Sequence, residues 1–405
     1  MTKNTPPEPP NRPQPPELKS PLNCLLTTAL TRRRVVEGGY PKLAAEITAA
    51  YEANLADTAD TDEANTTETT QLINRQKLAR LAEGDRNVSL SIRELEGLNF
   101  YLEPFGFGLR DNPLFSLSTP LQALATSKQA TFCLGAKMGA EGSTVSHLDM
   151  MAMVQIQRSI NKLGYALPID IFDVHGTVRT PGRGRRPWTR VLERQGPSVV
   201  CIASPRANQA TEVALRDMLS IKTGPTPWNK LPFYFVWKGV GGINKQESHL
   251  ARPVAEIKRE KKGQPEFDKL IEHVTNNKGW GLVVGDQVFC SDHLTQKKDG
   301  KHKLLKTATS HAVIAVQRQP EGQIWMVVAG LNGTGTYLAA SRLHEMRGEV
   351  PPLGDPNQHA VLWSVVEGDV TMDSMIGKGE LPTLEDAAFV VPPRLWDPKK
   401  KIPLT

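Results

Sequence analysis

Ser204, Arg206 and Asn208 fall within five residues, in the turn SPRAN between an apolar run, Val199 to Ala203, and a helical pattern, Gln209 to Leu219. A hydroxyl, a guanidinium and an amide at a helix start can grip a phosphate or a carboxylate. The first helical N–H groups have no intrahelical partner, and arginine binds such anions in a fork. Asparagine at that position has a second use, as the helix cap. Glu212 lies one turn into the helix. Its carboxylate either complements the helix dipole or serves as a nucleophile or ribose-binding group in a nucleoside-processing site.

A second turn, GLNGTGT, follows the apolar run Trp325 to Ala329 and carries Gly330, Gly333 and Gly335 with Thr334 and Thr336. Glycines here allow close backbone approach to a phosphate or ribose, again beside a helix start. The spacing is neither the GxGxxG dinucleotide fingerprint nor a P-loop, since no GK[ST] follows. The alternative use of these small residues is close packing of helix on sheet. A third, looser instance, FCLGAKMGAEGSTVSHLDMMAM, begins at Phe132. Strand, small-residue turn and helix make half of a βαβ unit. Such turns lie at the carboxyl edge of a sheet, where open α/β folds bind ligands. If the strands are parallel neighbours, SPRAN and GLNGTGT line one pocket for a nucleotide-like ligand.

Other chemistry finds little support in the residues. No HExxH, CxxC or Ser/His/Asp order appears, so no metal is expected, and His175 and His311 read as structural. Cys133, Cys201 and Cys290 sit in apolar runs and read as buried thiols.

The elements that must position these turns follow from periodicity. From Asn23 to about Leu102 the signals are helical. Leu25, Leu26, Leu30 and Val35 lie near one face before the stop Gly38-Gly39, and Leu43, Ile47, Ala50 and Tyr51 recur at helical spacing. The acidic stretch 56 to 68 has no periodicity and reads as an exposed loop. Leu78, Leu81 and Ala82 share a face, and Ser91 with Glu94 makes a capping box that opens a helix with Leu95, Leu98 and Leu102 inward.

The helix from Asn74 to Glu83 resembles the recognition helix of a Cro/C1-type helix-turn-helix repressor. That resemblance implies that Arg75, Gln76, Lys77 and Arg80 meet DNA, with Gln76 and Arg80 opposite the leucines and Arg75 and Lys77 at phosphates. The acidic loop stands where the family has a tight turn. The bland reading is a small helical bundle with a solvated basic face.

Further along, Ser146 with Asp149 at N3 opens a helix whose stripe is Met153, Ile156, Ile160 and Leu163. SHAVIAVQRQPEGQIWMVVAG is a hairpin pattern around Pro320-Glu321-Gly322, and WGLVVGDQVFC is a strand pair. The organisation is then a disordered proline-rich tail (1–21), a helical domain (22–103), a connector (104–130) and an α/β domain (131–405) with a mixed, mostly parallel sheet. The last domain loosely resembles the Rossmann-like nucleotide-handling group of TIR, nucleoside deoxyribosyltransferase-like and SLOG domains. That group contains both glycosidic-bond enzymes and sensors.

The chain has 405 residues, 39% hydrophobic and 23% charged, which is enough apolar surface for a sizeable core. No run of residues is long and apolar enough to span a bilayer, and MTKNTPPEPPNRPQPPELKS has no signal-peptide core, so a cytoplasmic protein without membrane contact is expected. A net charge of +6 permits nucleic acid as a partner, and a homodimer stays open. The expectation is a DNA-binding regulator whose α/β domain senses a nucleotide-like ligand. The alternatives are a nucleotide or nicotinamide glycohydrolase with a helical adaptor, and a protein-interaction module without ligand.

Overall fold

The computed structural model describes residues 21–58, 71–83, 90–105, 117–127, 129–139, 142–175, 192, 197–205, 207–221, 227–238, 250–276, 279–292, 295–298, 301–304, 307–371 and 383–404. The proline-rich residues 1–20, most of the acidic stretch and Arg206 lie outside them.

Helices α1 (Pro21–Glu37) and α2 (Tyr40–Thr58) are joined across Gly38 and Gly39, both at positive φ, 78° and 125°. Glycine is needed there because a Cβ disfavours that backbone. With α3 (Arg75–Glu83) and α4 (Ile92–Leu102), their apolar faces meet in one cluster. Leu26, Leu30, Leu43, Ile47, Leu78 and Leu98 are fully buried in it. Val35, expected inward, is 73% exposed. The inward stripe of α1 runs through buried Ala29 to partly buried Arg33 instead, whose Nε donates to the Tyr101 hydroxyl at 3.1 Å and whose guanidinium pairs with Glu37. The Ser91–Glu94 capping box forms as expected. One member of this helical core comes from far along the chain: Leu353.

The stretch expected to be a plain connector contains α5 (Pro120–Ala125), opened by a Thr119–Gln122 capping box. It buries Leu121 and Leu124 in the core of the sheet. Six residues are too few to show a helical stripe, which is why the sequence hides it.

Strands β1 (Ala130–Gly139) and β2 (Gly142–Val145), α6 (His147–Lys162), β3 (Ile169–His175), β4 (Ser198–Ile202) and α7 (Gln209–Met218) follow. Next come β5 (Tyr234–Trp237), β6 (Ala251–Pro253), α8 (Val254–Lys261), α9 (Pro265–Thr275), β7 (Gly279–Val284), β8 (Gln287–Asp292), and a small hairpin of β9 (Thr295–Lys298) and β10 (Lys301–Leu304). The chain closes with β11 (Thr307–Arg318), β12 (Ile324–Gly330), α10 (Gly333–Arg342), β13 (Val361–Thr371), β14 (Thr383–Asp397) and β15 (Ile402–Leu404).

The main sheet has nine strands. At its centre β3, β1, β4 and β12 run parallel, in that order. Beyond them β11, β13, β14 and β15 pair antiparallel. The parallel expectation therefore holds for four strands only. Pro320-Glu321-Gly322 reverses the chain on the spot, where a parallel neighbour would need a helical crossover.

Alternate residues of the central strands feed two cores. Val199, Cys201 and Val327 face α7 and a second, four-stranded sheet of β6, β5, β7 and β8. Val200, Ile202 and Val328 face α5, α6 and α10. The expected α6 stripe is buried at Met153, Ile156 and Ile160, whereas Leu163, beyond the helix end, is 43% exposed.

Candidate ligand edge of the sheet

Val327 faces Cys201 and Val328 faces Ile202 in parallel register, so SPRAN and GLNGTGT leave the sheet side by side at its carboxyl edge. The helices they open lie on opposite faces, α7 on one and α10 on the other. Neighbouring strands whose connections diverge in this way form the crevice where open α/β sheets bind ligands.

At the first turn, Ala203 has φ +93°, a conformation L side chains rarely adopt. It is held there because its N–H donates to Val328 O at 3.1 Å and its carbonyl accepts from Thr211 Oγ1 at 3.0 Å. Asn208 is fully buried. Its Nδ2 donates to Cys133 O at 2.7 Å and to Ile202 O at 2.8 Å, while Oδ1 accepts from Ala210 N at 2.9 Å. Both amide protons are spent on β1 and β4, so Asn208 is the rivet of the edge and the cap of α7, not a ligand contact. Gly135 of β1 is pressed against this turn, and a Cβ there would come within 2.7 Å of Ala207 O. Ser204 and Glu212 stay half-buried.

At the second turn, Asn332 caps α10: its Oδ1 accepts from Gly335 N at 2.8 Å and from Ser310 Oγ at 2.6 Å. Thr336 Oγ1 accepts from Gly330 N and donates to Asn332 O, both at 3.2 Å. A Cβ on Gly330 would overlap Thr336 and Asn332, and one on Gly335 would overlap the His311 carbonyl. A Cβ on Gly333 would lie 3.3 Å from Ser146 Oγ and from Leu148 Cβ at the start of α6. Gly330 and Gly335 thus admit neighbouring protein where a phosphate or ribose was expected, while Gly333 stays half-buried. Thr334 and Thr336 are each 1% exposed, and Thr336 ties the turn together from within. Ser146 precedes α6 but makes no side-chain cap bond.

One polar line was not foreseen. His311 on β11 donates from Nε2 to Glu367 Oε2 of β13 at 2.6 Å, because a carboxylate only accepts. In the neutral ring its Nδ1 is then the acceptor, 3.4 Å from Ser291 Oγ of β8, and that oxygen also accepts the His311 N–H at 2.8 Å. Ser291 and His311 are buried, whereas the Glu367 side chain is 41% exposed. Only register could reveal this line: the three residues are scattered in sequence and meet because β8 seats against β11.

In the helical part, Arg75, Gln76 and Arg80 lie exposed on the side of α3 away from Leu78 and Leu81. Lys77 does not join them. Its Nζ holds both oxygens of Glu94, at 2.6 and 2.7 Å, tying α3 to the capping box of α4. Burial acts to raise the Glu94 carboxyl, but hydrogen bonds from Lys77 and Ser91 outweigh it and the pKa lies below the ordinary value.

Cys133 and Cys201 are buried register partners. Their mutual hydrogen bond, with burial, pushes the Cys201 thiol well up, which makes it a poor nucleophile. Cys290 is only half-buried. Among the described residues no helix is long and apolar enough to cross a membrane. Comparison with known proteins finds no family model, no curated protein and no solved structure that matches this chain.

Proposed function

We propose that this chain is a ligand-responsive regulator. In this reading the α/β part takes a nucleotide-like anion at the carboxyl edge of β4 and β12, and the helical part presents Arg75, Gln76 and Arg80 to duplex DNA. The observation that carries it is the parallel pairing of Val328 with Ile202 while α7 and α10 diverge to opposite faces. With Gly330, Gly335 and Asn208 spent on the fold, contact with a ligand falls to Ser204, Asn332 and Gly333, which stay half-buried. Arg206, beside Ser204 in sequence, is the natural phosphate partner.

Native mass spectrometry of the purified protein, followed by thermal-shift titration with nucleoside mono- and diphosphates, tests the ligand. A retained or stabilising nucleotide whose effect falls in Arg206→Ala supports the reading. No stabilisation by any phosphorylated nucleoside removes it. A gel shift over salt concentration tests DNA: affinity should fall steeply with salt and with Arg80→Ala, and absence of binding to any duplex at low salt removes that half.

A second reading, a nucleotide or nicotinamide glycohydrolase, draws on Glu367. Its carboxylate is half-open to solvent and oriented from behind by His311, itself fixed by Ser291. Chromatography of NAD or nucleoside incubations would show release of the free base, abolished in Glu367→Gln. Absence of release leaves the sensor reading.

A further inference from the structure

We propose that the segment 346–360 is a coupling strap: it makes the packing of the helical part and the position of the α10 turn depend on each other. This rests on the ligand reading only for what would drive it from the α10 end.

The strap continues α10. After Leu343 and Met346, each 1% exposed, Val350 N donates to Ser118 O at 2.8 Å, and Leu353 then enters the core of α1 to α4. A Cβ on Gly354 would touch Leu95 of α4 at 3.8 Å. The helical core is therefore closed by a residue that the α/β part supplies.

Arg318, at the end of β11, fixes the strap. It is the largest fully buried side chain among the described residues. Its Nε donates to Pro351 O at 3.0 Å, one Nη to Gly322 O at 3.4 Å and the other to Ser118 Oγ at 3.3 Å. One guanidinium thus joins the strap, the β11–β12 turn and the residues leading into α5. Burial lowers its pKa to about 10, so the charge is held there against its desolvation.

The other end of the same strand holds the α10 turn. The His311 carbonyl accepts from Leu331 N at 3.0 Å and closes on Gly335, and Ser310 bonds the cap Asn332. From His311 to Arg318 is seven residues of strand, about 23 Å. Beside it runs α10, about 15 Å long and buried continuously from Thr334 to Ala340. A strand and a helix, anchored to each other at one end and through the strap at the other, move as one frame. Close-packed interiors pass such displacements on without absorbing them. A shift of the α10 turn is then a shift of Leu353, and the dependence must hold in both directions.

Hydrogen exchange with mass readout on the full chain tests this from each end. Leu353→Ala is expected to speed exchange of the buried amides of α1 to α4 and, in addition, of residues 331–336, by about fivefold or more. Gly333→Ala, which crowds Ser146 and Leu148, should speed exchange in α4. If Leu353→Ala fails to fold, Leu353→Val carries the same comparison. Faster exchange confined to the helices and the strap, with 331–336 unchanged, overturns the coupling while leaving the ligand reading intact. Unchanged exchange in the helices overturns the role of Leu353 in closing the helical core.

Discussion

Gly335 on α10 lies against the carbonyl oxygen of His311 on β11, so closely that a Cβ atom has no room. The contact turns a glycine expected to face a ligand into the point where helix meets sheet. Gly335→Val should accordingly destabilise the whole α/β part, by about 3 kcal/mol as overpacking against backbone does. Chemical denaturation of the ligand-free protein reads this directly. A variant with parental stability that has lost only a ligand response would restore the ligand-facing role of this glycine.

Asn208 offers a graded test of the edge. Asn208→Ala removes the α7 cap and leaves the Cys133 and Ile202 carbonyls buried without their side-chain donor, a loss of about 2–3 kcal/mol. Asn208→Asp keeps the cap acceptor, loses both donors and buries a charge, so it should be no better than alanine. Equilibrium unfolding of the two variants decides. An aspartate variant close to the parent would mean that the two carbonyl bonds contribute little.

Glu94 gives the helical part an acid sensitivity whose sign is fixed. Its carboxyl lies below the ordinary value of 4.5 in the folded chain. The stability it contributes is present above that value and is lost as pH falls through the lower, folded one. Helical circular dichroism followed down in pH should show this loss in the parent and not in Glu94→Gln. The glutamine variant starts about 1 kcal/mol less stable at neutral pH, since it loses the charge on a Lys77 pair whose side chains are only 25% and 11% exposed.

Lys77 and Arg80 should separate in DNA titrations. With its ammonium on both oxygens of Glu94, Lys77→Met is expected to lower helical stability while changing duplex affinity little. Arg80→Ala should do the reverse. Gel shifts paired with thermal melts of each variant give the contrast, and a large affinity loss in Lys77→Met would return that residue to the interface.

Arg318→Lys should not substitute for arginine. A lysine ammonium lacks the planar fork that reaches Pro351, Gly322 and Ser118 at once. Leaving those buried acceptors short costs about 2 kcal/mol, and the melting temperature should fall in Arg318→Lys nearly as far as in Arg318→Met.

What the sequence determined by itself is local. The continuous apolar runs Val199 to Ile202 and Trp325 to Val328 mark buried strands, Pro320-Glu321-Gly322 marks a reversal, and Ser91 with Glu94 marks a helix start. All follow from contacts within a few residues. The carboxyl-edge convergence of SPRAN and GLNGTGT needed one further fact, the parallel pairing of β4 with β12, which no local pattern encodes. Tertiary structure alone decided which side each small or polar residue faces. Gly335 meets His311, Asn208 spends its amide on strands β1 and β4, Lys77 turns to Glu94, and Leu353 enters a core that begins at Leu26. These partners lie between 6 and about 330 residues away along the chain. Hydrogen bonds and close packing act over a few ångströms of space, so a residue's chemistry names what it can bind, and only the fold selects which neighbour takes it.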